Sequence, residues 1–136
     1  MLAAVVDRVD GACFGLSYGD SSIVTVDHDG ARRRSVPGPG FVDPRDPATL
    51  DPSRARPFRF ETGDAQLVLA FTDGIDQCHY RSPATSIGPG HIHRLFVRTG
   101  PKPRAFAAAL ADLALAGVDG HPGGQDNLAL TVVTSR

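Results

Sequence analysis

The sequence predicts an α+β fold in which helices cover one face of antiparallel sheet. Apolar runs of strand length fill the first half of the 136-residue chain, two helical patterns follow between residues 91 and 117, and one more apolar run closes the chain. Strands followed by consecutive helices are typical of antiparallel sheet, because parallel strands need a crossover between each pair.

Composition limits the class of protein. The length fits one domain over residues 1–136, and 41% apolar residues is an ordinary globular value. The net charge is -1, which gives no broad field for nucleic acid. No apolar run is long enough for a membrane span or a signal peptide. Cys13 and Cys78 are too few for a disulfide framework, so a reducing, cytoplasmic setting is expected.

The first two strands are expected at residues 12–18 and 22–26, on either side of Gly19-Asp20-Ser21. Large residues at Phe14, Leu16 and Tyr18 alternate with small ones, as on a half-buried strand. The short separation predicts a β-hairpin or a kinked continuous pair.

Residues 31–57 are rich in proline and arginine and show no periodicity, which predicts a long surface loop or flap. The triplet Arg32-Arg33-Arg34 is most simply a solvated turn. Its functional alternative is a contact for phosphate or for an acidic partner.

A second hairpin is expected from Phe58 and Phe60 through a turn to the run Leu67 to Phe71. This run has no polar interruption and then stops at Thr72-Asp73-Gly74. It therefore predicts a strand that is buried on both faces and carries a carboxylate at its end.

Two helices and a last strand complete the pattern. Apolar spacing predicts a short helix over His91 to Arg98, and a longer one that Pro103 opens and Gly117 ends. A glycine-rich loop then leads through Asp126-Asn127 into a strand over Leu128 to Val133. The helices are expected to cover one sheet face.

Asp20, Asp73 and Asp126 are the candidate metal ligands. Hard cations such as Mg²⁺ and Mn²⁺ select oxygen ligands, often one or two carboxylates with several waters. Asp-Gly and Gly-Asp pairs also build turns, and on their own these aspartates are more simply turn residues.

Other polar groups predict little chemistry. His91 and His93 point apart on a helix, which favours a solvated helix start over a metal pair. Cys78 is best interpreted as a buried or idle thiol despite its neighbour His79. Asp119 is interpreted as a turn residue.

The ordered motifs resemble the C-terminal part of the protein phosphatase 2C family, the metal-dependent serine/threonine phosphatases. Gly19-Asp20-Ser21 is similar to the Gly-Asp-Ser strand motif of that family. The strand that ends in Thr72-Asp73-Gly74 is similar to its Ser/Thr-Asp-Gly motif, and Asp126-Asn127 to its closing Asp-Asn motif. Each motif alone is weak, but the set follows the order of the family across residues 12–134.

The resemblance implies a sandwich of two antiparallel β-sheets with helices on the outer faces. It also implies that Asp73 and Asp126 hold a catalytic Mn²⁺ or Mg²⁺, and that Asp20 helps Asp73 hold a further ion. Gly74 and Asn127 would support the site. In the family no side chain attacks the substrate, a phosphoprotein. A metal-activated water does so, and no catalytic side chain is therefore assigned.

The sequence also departs from the family pattern. The phosphate-gripping Arg, an early acidic ligand and the Asp-Gly-His-Gly motif of the N-terminal half are missing, and Ser22 stands where the family usually has Arg. The resemblance therefore implies a serine/threonine phosphatase domain that is incomplete and weak or inactive alone. The alternatives are a non-catalytic pseudophosphatase or regulatory module, and an α+β domain whose aspartates only build turns.

Three explanations of the missing N-terminal half stay open. The sequence is a fragment or truncated product, another chain supplies the half, or a shortened variant forms a homodimer. The first is favoured. A complementing chain or a second copy would cover strand edges that otherwise expose unpaired backbone groups.

Overall fold

The computed structural model describes residues 2–7, 9–35, 45–46, 51–79 and 85–135. These residues form nine strands, three α-helices and one 3₁₀ turn over Pro52–Arg54. The strands are β1 (Leu2–Asp7), β2 (Ala12–Ser17), β3 (Ser22–Val26), β4 (Ala31–Arg33), β5 (Arg56–Glu61), β6 (Leu67–Phe71), β7 (Gly117–Val118), β8 (His121–Pro122) and β9 (Leu130–Thr134). The helices are α1 (Asp73–Asp76), α2 (Pro89–Thr99) and α3 (Pro103–Ala116).

The strands form two main antiparallel sheets, which confirms the predicted α+β sandwich. Sheet A has the order β1-β2-β5, sheet B has the order β4-β3-β6-β9, and β7 pairs with β8 in a short hairpin. One apolar cluster joins Cys13 of sheet A to Ile23 and Val68 of sheet B. A second cluster joins the other face of sheet B to α2 and α3, so sheet B lies between sheet A and the helices.

Strand β6 is buried on both faces, as its sequence predicts. Leu67, Leu69 and Phe71 belong to the cluster on the helix side, whereas Val68 belongs to the cluster shared with sheet A. None of these four side chains is more than 4% exposed. Because β3 and β9 pair with it on either side, β6 is also fixed along both edges.

The helix predictions are confirmed, with small shifts at the ends. Helix α3 begins at Pro103 and Gly117 caps it, while α2 begins at Pro89, two residues before the predicted start, and Gly100 caps it. Among the described residues, no helix has the length and apolarity to span a membrane. Strand β9 begins at Leu130, two residues later than predicted.

Neither predicted hairpin forms, and of the two alternatives for β2 and β3 the kinked continuous pair is the one that agrees with the structure. Strands β2 and β3 do not pair with each other, and neither do β5 and β6, because each connection carries the chain from sheet A to sheet B. The apolar patterns locate these strands correctly. A short connection between two strands does not distinguish a hairpin from a corner between packed sheets.

The inward face of β2 is the reverse of the predicted one. Phe14 and Leu16 are 40% and 52% exposed, while Cys13 is fully buried. The bulk on the inner face comes from β5, where Phe60 lies opposite Cys13 and Phe58 opposite Gly15. Small residues on β2 therefore complement large ones on its neighbour.

The arginine triplet is not a solvated turn. Arg32 and Arg33 belong to β4 at the edge of sheet B, and they pair with Asp27 and Asp76 respectively. Arg34 donates a hydrogen bond to Thr25 and lies over the ring of Phe60. The predicted loop over residues 31–57 thus begins with a strand and ends in β5, and residues 36–44 and 47–50 of it lie outside the described part.

Candidate functional site

Three segments meet at one end of sheet B because of its register. Ser22 at the start of β3 lies opposite Phe71 at the end of β6, and Phe71 lies opposite Leu130 at the start of β9. Asp20 lies two residues before β3 and Asp73 two residues after β6. Both are therefore at this end, and the segment that carries Asp126 leads into it.

Asp20 and Asp126 act on the carboxyl of the third candidate, Asp73. The pKa of the Asp73 carboxyl is raised, first by burial and then by the negative charges of Asp20 and Asp126. A hydrogen bond with the Asp20 side chain raises it further, since a shared proton favours the neutral form. The pattern is that of carboxylates that repel one another until a cation or a proton neutralises them.

This arrangement fits a hydrated ion and not a complete protein cage. Within the part of the chain that the structure describes, no three acidic, histidine or cysteine side chains are grouped closely enough to hold one ion. Mg²⁺ commonly keeps several waters and takes only one or two carboxylates from a protein. The raised pKa of Asp73 and the lack of a complete ligand group are thus compatible, because neighbouring carboxylates interact without forming a full shell for an ion.

Thr72 ties the end of β6 to the segment before β9, and sequence reasoning assigned it no such role. Its hydroxyl donates to the Asn127 carbonyl at 3.3 Å and accepts the Ala129 N–H at 3.0 Å. Its own N–H donates to the Ala129 carbonyl at 3.0 Å. These bonds fix the distance between the segments that carry Asp73 and Asp126.

Gly74 allows the same two segments to approach closely. A Cβ at this position would lie 2.1 Å from the carbonyl oxygen of Asn127 and 2.8 Å from its carbonyl carbon. The supporting contact of Asn127 is thus made by its backbone, while its side chain is exposed. Gly74 and Asn127, both predicted as supporting residues, are in contact.

The loop ahead of Asp126 is held against the end of α3 and the end of α1. Gly124 N–H donates to the Ala114 carbonyl at 2.9 Å, and a Cβ at Gly123 would lie 2.0 Å from that oxygen. Gln125 N–H donates to the Cys78 carbonyl at 3.3 Å. The Asp126 carboxylate accepts the N–H of Asn127 at 2.7 Å, which orients its side chain.

Asp76 is a fourth acidic residue near this end of the sheet, and sequence reasoning missed it. Its side chain is only 9% exposed and accepts hydrogen bonds from Ser22, at 2.9 Å, and from Arg33. Burial raises the pKa of the Asp76 carboxyl, and the Arg33 charge and the Ser22 hydroxyl oppose that rise. Its position three residues after Asp73, on the same helical turn, is the sequence signal that points to it.

The remaining candidates behave largely as turn or structural residues. Cys78 is fully buried. His91 accepts the Gly88 N–H through Nδ1 and contacts Asp119 through Nε2 at 3.0 Å, while His93 contacts a backbone carbonyl. Asp119 has a φ of 51° in the turn between β7 and β8. The two histidines are therefore not a metal pair.

Several solved structures with this fold are phosphatases. A single-site variant of a bacterial serine phosphatase matches with a TM-score of 0.73 at 18% identity, over 99% of this chain and 52% of its own. The serine/threonine phosphatase Stp1 from Staphylococcus aureus matches with a TM-score of 0.67 at 16% identity, over 98% and 54%. The phosphatase domain of the cell fate determinant SpoIIE from Bacillus subtilis matches with a TM-score of 0.61 at 14% identity, over 98% and 57%.

These comparisons establish the fold. The chain has the fold of one portion of a protein phosphatase 2C-like domain, and it spans about half the length of the solved structures that it matches. No protein-family model and no curated protein sequence matches it.

Proposed function

We propose that this chain is part of a metal-dependent protein serine/threonine phosphatase domain and contributes one side of its metal site. The observation that carries the proposal is the convergence of Asp20, Asp73 and Asp126 at one end of sheet B, where the other two charges raise the pKa of Asp73. The fold shared with serine/threonine phosphatases supports the reaction class.

In this proposal Asp73 is the shared ligand, with Asp126 on one side and Asp20 on the other. A bound Mn²⁺ or Mg²⁺ supplies Lewis-acid chemistry, since it lowers the pKa of a coordinated water and neutralises charge on a phosphoryl group. Thr72 and the contact of Gly74 with Asn127 keep the carboxylate-bearing segments at a fixed separation. No side chain of this chain acts as the nucleophile.

We propose that this chain supplies only part of the site. Within the described residues the three candidate carboxylates form no ligand group tight enough to hold one ion, and the solved structures are almost twice as long. We propose that the remaining ligands and the phosphate-binding group come from sequence beyond this chain or from a complementing chain. Alternatively, a second copy of this chain in a homodimer would cover edge strands such as β1 and β9. The substrate would be a phosphoprotein in a reducing, cytoplasmic setting.

Two measurements test the proposal. The first is Mn²⁺-dependent release of phosphate from a phosphoserine or phosphothreonine peptide, which Asp73→Asn should abolish. The second is calorimetric binding of Mn²⁺, which Asp73→Asn and Asp126→Asn should weaken. Asp29→Asn is the matched control, because it changes an exposed aspartate beyond the opposite end of β3.

A non-catalytic module, either a pseudophosphatase or a regulatory partner, is the second candidate. It is favoured by the absence of a tight ligand cluster in the described residues. Binding of Mn²⁺ that is sensitive to Asp126→Asn, without turnover at millimolar Mn²⁺, would support it over catalysis by this chain. If neither substitution changes the binding of Mn²⁺, the aspartates are turn residues and both candidates are wrong.

A further inference from the structure

Asp76 is a buried carboxylate that packing stability does not explain. Its Oδ2 accepts both hydrogen bonds, while its buried Oδ1 has no hydrogen-bond partner among the described residues. An ion pair with a partly exposed arginine contributes little net stability, and a buried oxygen without a partner costs free energy. The Asp76 carboxylate is therefore better explained by a role in fixing the position of the segment that carries it.

Helix α1 depends on such contacts for its position. It consists of one turn, from Asp73 to Asp76, and Thr72 makes no side-chain hydrogen bond to its first amides. A helix this short has no stability of its own, because the first turn costs more entropy than its single hydrogen bond returns. Tertiary contacts must hold it, and Asp73 is its first residue.

Three contacts hold α1 from different directions. Ile75 is fully buried in the core beneath it, and Gly74 lies against the backbone of Asn127. Asp76 is held from the side of β3 and β4 by Ser22 and Arg33. The contact of Ile75 anchors α1 to the core, and the contact of Gly74 places it beside Asn127. The contact of Asp76 restrains rotation of α1 about its own axis.

We infer that Arg33 is a positioning residue for the candidate metal site, because its contact with Asp76 fixes α1 and thereby the direction of the Asp73 carboxylate. This inference rests on the proposed function as far as the metal is concerned. An arginine suits the role, since its guanidinium keeps its charge at every working pH and offers several donors in a fixed geometry. Ser22 supplies the second donor to the same oxygen.

Arg32 provides a matched control. It is the neighbouring residue on β4 and is similarly exposed, and its ion pair at 2.9 Å is with Asp27. Asp27 lies in the turn between β3 and β4, at the opposite end of β3 from Ser22. Arg32→Ala therefore removes an equivalent charge and ion pair without touching α1.

The experiment uses the full 136-residue chain and two measurements. Without metal, hydrogen exchange is followed at the amide of Gln77, which donates to the Asp73 carbonyl across α1. With Mn²⁺, affinity is measured by calorimetry at a temperature where all variants are folded. We expect Arg33→Ala to accelerate exchange and to weaken Mn²⁺ binding, each by about twofold to fivefold, as for a partly exposed arginine-carboxylate contact. Arg32→Ala should change neither value.

Two further variants separate positioning from general stability. Arg33→Lys should restore part of the Mn²⁺ affinity, because it keeps the charge but not the fork of donors. Arg33→Ala combined with Asp76→Asn should have less than the product of the single effects, because both changes break one contact.

The inference is overturned if the Gln77 amide of Arg33→Ala exchanges at the wild-type rate, or if it accelerates while Mn²⁺ affinity stays unchanged. If the wild-type chain binds no Mn²⁺, the proposed function fails, but the exchange rates still decide whether Arg33 positions α1.

Discussion

Substitution of Gly74 by alanine gives a direct test of how the candidate site is assembled. The added Cβ would lie 2.1 Å from the carbonyl oxygen of Asn127 and 3.2 Å from the Cα of Leu128. Ordinary contacts between carbon and other heavy atoms are roughly 3.5 Å, so the two segments must separate by about 1 Å or more. Both obstacles are backbone atoms, and no side-chain rotation relieves the overlap.

The size of the effect follows from the contacts that such a separation would disturb. Overpacking a tight position costs about 1–3 kcal/mol, and each weakened hydrogen bond between Thr72 and the opposing backbone adds roughly 0.5–1.5 kcal/mol. We expect a total loss of roughly 2–4 kcal/mol in the free energy of unfolding. For a chain of this length, each kcal/mol lost from the free energy of unfolding lowers Tm by about 3–4 °C. The expected drop in Tm is therefore roughly 7–14 °C.

Thermal unfolding followed by circular dichroism measures this drop, with Gly90→Ala as the control. A Cβ at Gly90 would meet only the Arg94 side chain at 3.6 Å, an ordinary contact, and Gly90 lies in α2. Alanine at position 90 should therefore stabilise α2 by up to about 1 kcal/mol. The same glycine-to-alanine change is thus expected to lower the free energy of unfolding at position 74 and to raise it at position 90. If Gly74→Ala keeps the wild-type Tm, the close approach of the two segments is wrong.

Two other substitutions test the electrostatics and the hydrogen bonds of the site. Asp73→Asn should raise Tm by a few degrees at pH 7 in metal-free buffer, because it removes a carboxylate whose pKa is raised by burial and by neighbouring charges. A raised pKa means that the folded state binds the extra proton. The stability of the wild-type chain therefore falls as pH rises from the ordinary pKa through the folded one, and the advantage of Asp73→Asn should disappear as pH is lowered through that window in thermal melts. An advantage that persists below it would contradict the assignment. Thr72→Val should lower the free energy of unfolding in urea by about 1 kcal/mol, because the Asn127 carbonyl and the Ala129 N–H lose their partner. Thr131→Val, an exposed change on β9, should have little effect, and equal losses in both variants would contradict the role of Thr72.

Sequence patterns predicted the elements whose environment is uniform along their length. The run from Leu67 to Phe71 is apolar throughout because β6 has sheet A on one face and helices on the other. Helix α3 was predicted because Pro103 and Gly117 mark its ends and its apolar stripe faces one core. The three ligand candidates stay predictions, and each of them lies in a short motif near a strand end.

The remaining features depend on which strands become neighbours, and local sequence does not encode that choice. The face reversal of β2 arises because Phe58 and Phe60 of β5 fill the space that Phe14 was expected to fill. Arg33 and Asp76 are 43 residues apart. Their contact follows only after β4 is placed beside β3, which in turn pairs with β6.

The positions of the three aspartates also determine when the site can form during folding. Asp73 lies 53 residues after Asp20 and 53 residues before Asp126, so each closure is a long-range event with a large entropic cost. No local segment of the nascent chain carries two of them. A divalent cation at the proposed site would therefore have no partly folded template to bind, and it would act after β3, β6 and β9 have paired. Metal should consequently slow the unfolding of this chain while leaving its folding rate almost unchanged, because the bound state lies on the native side of the transition state.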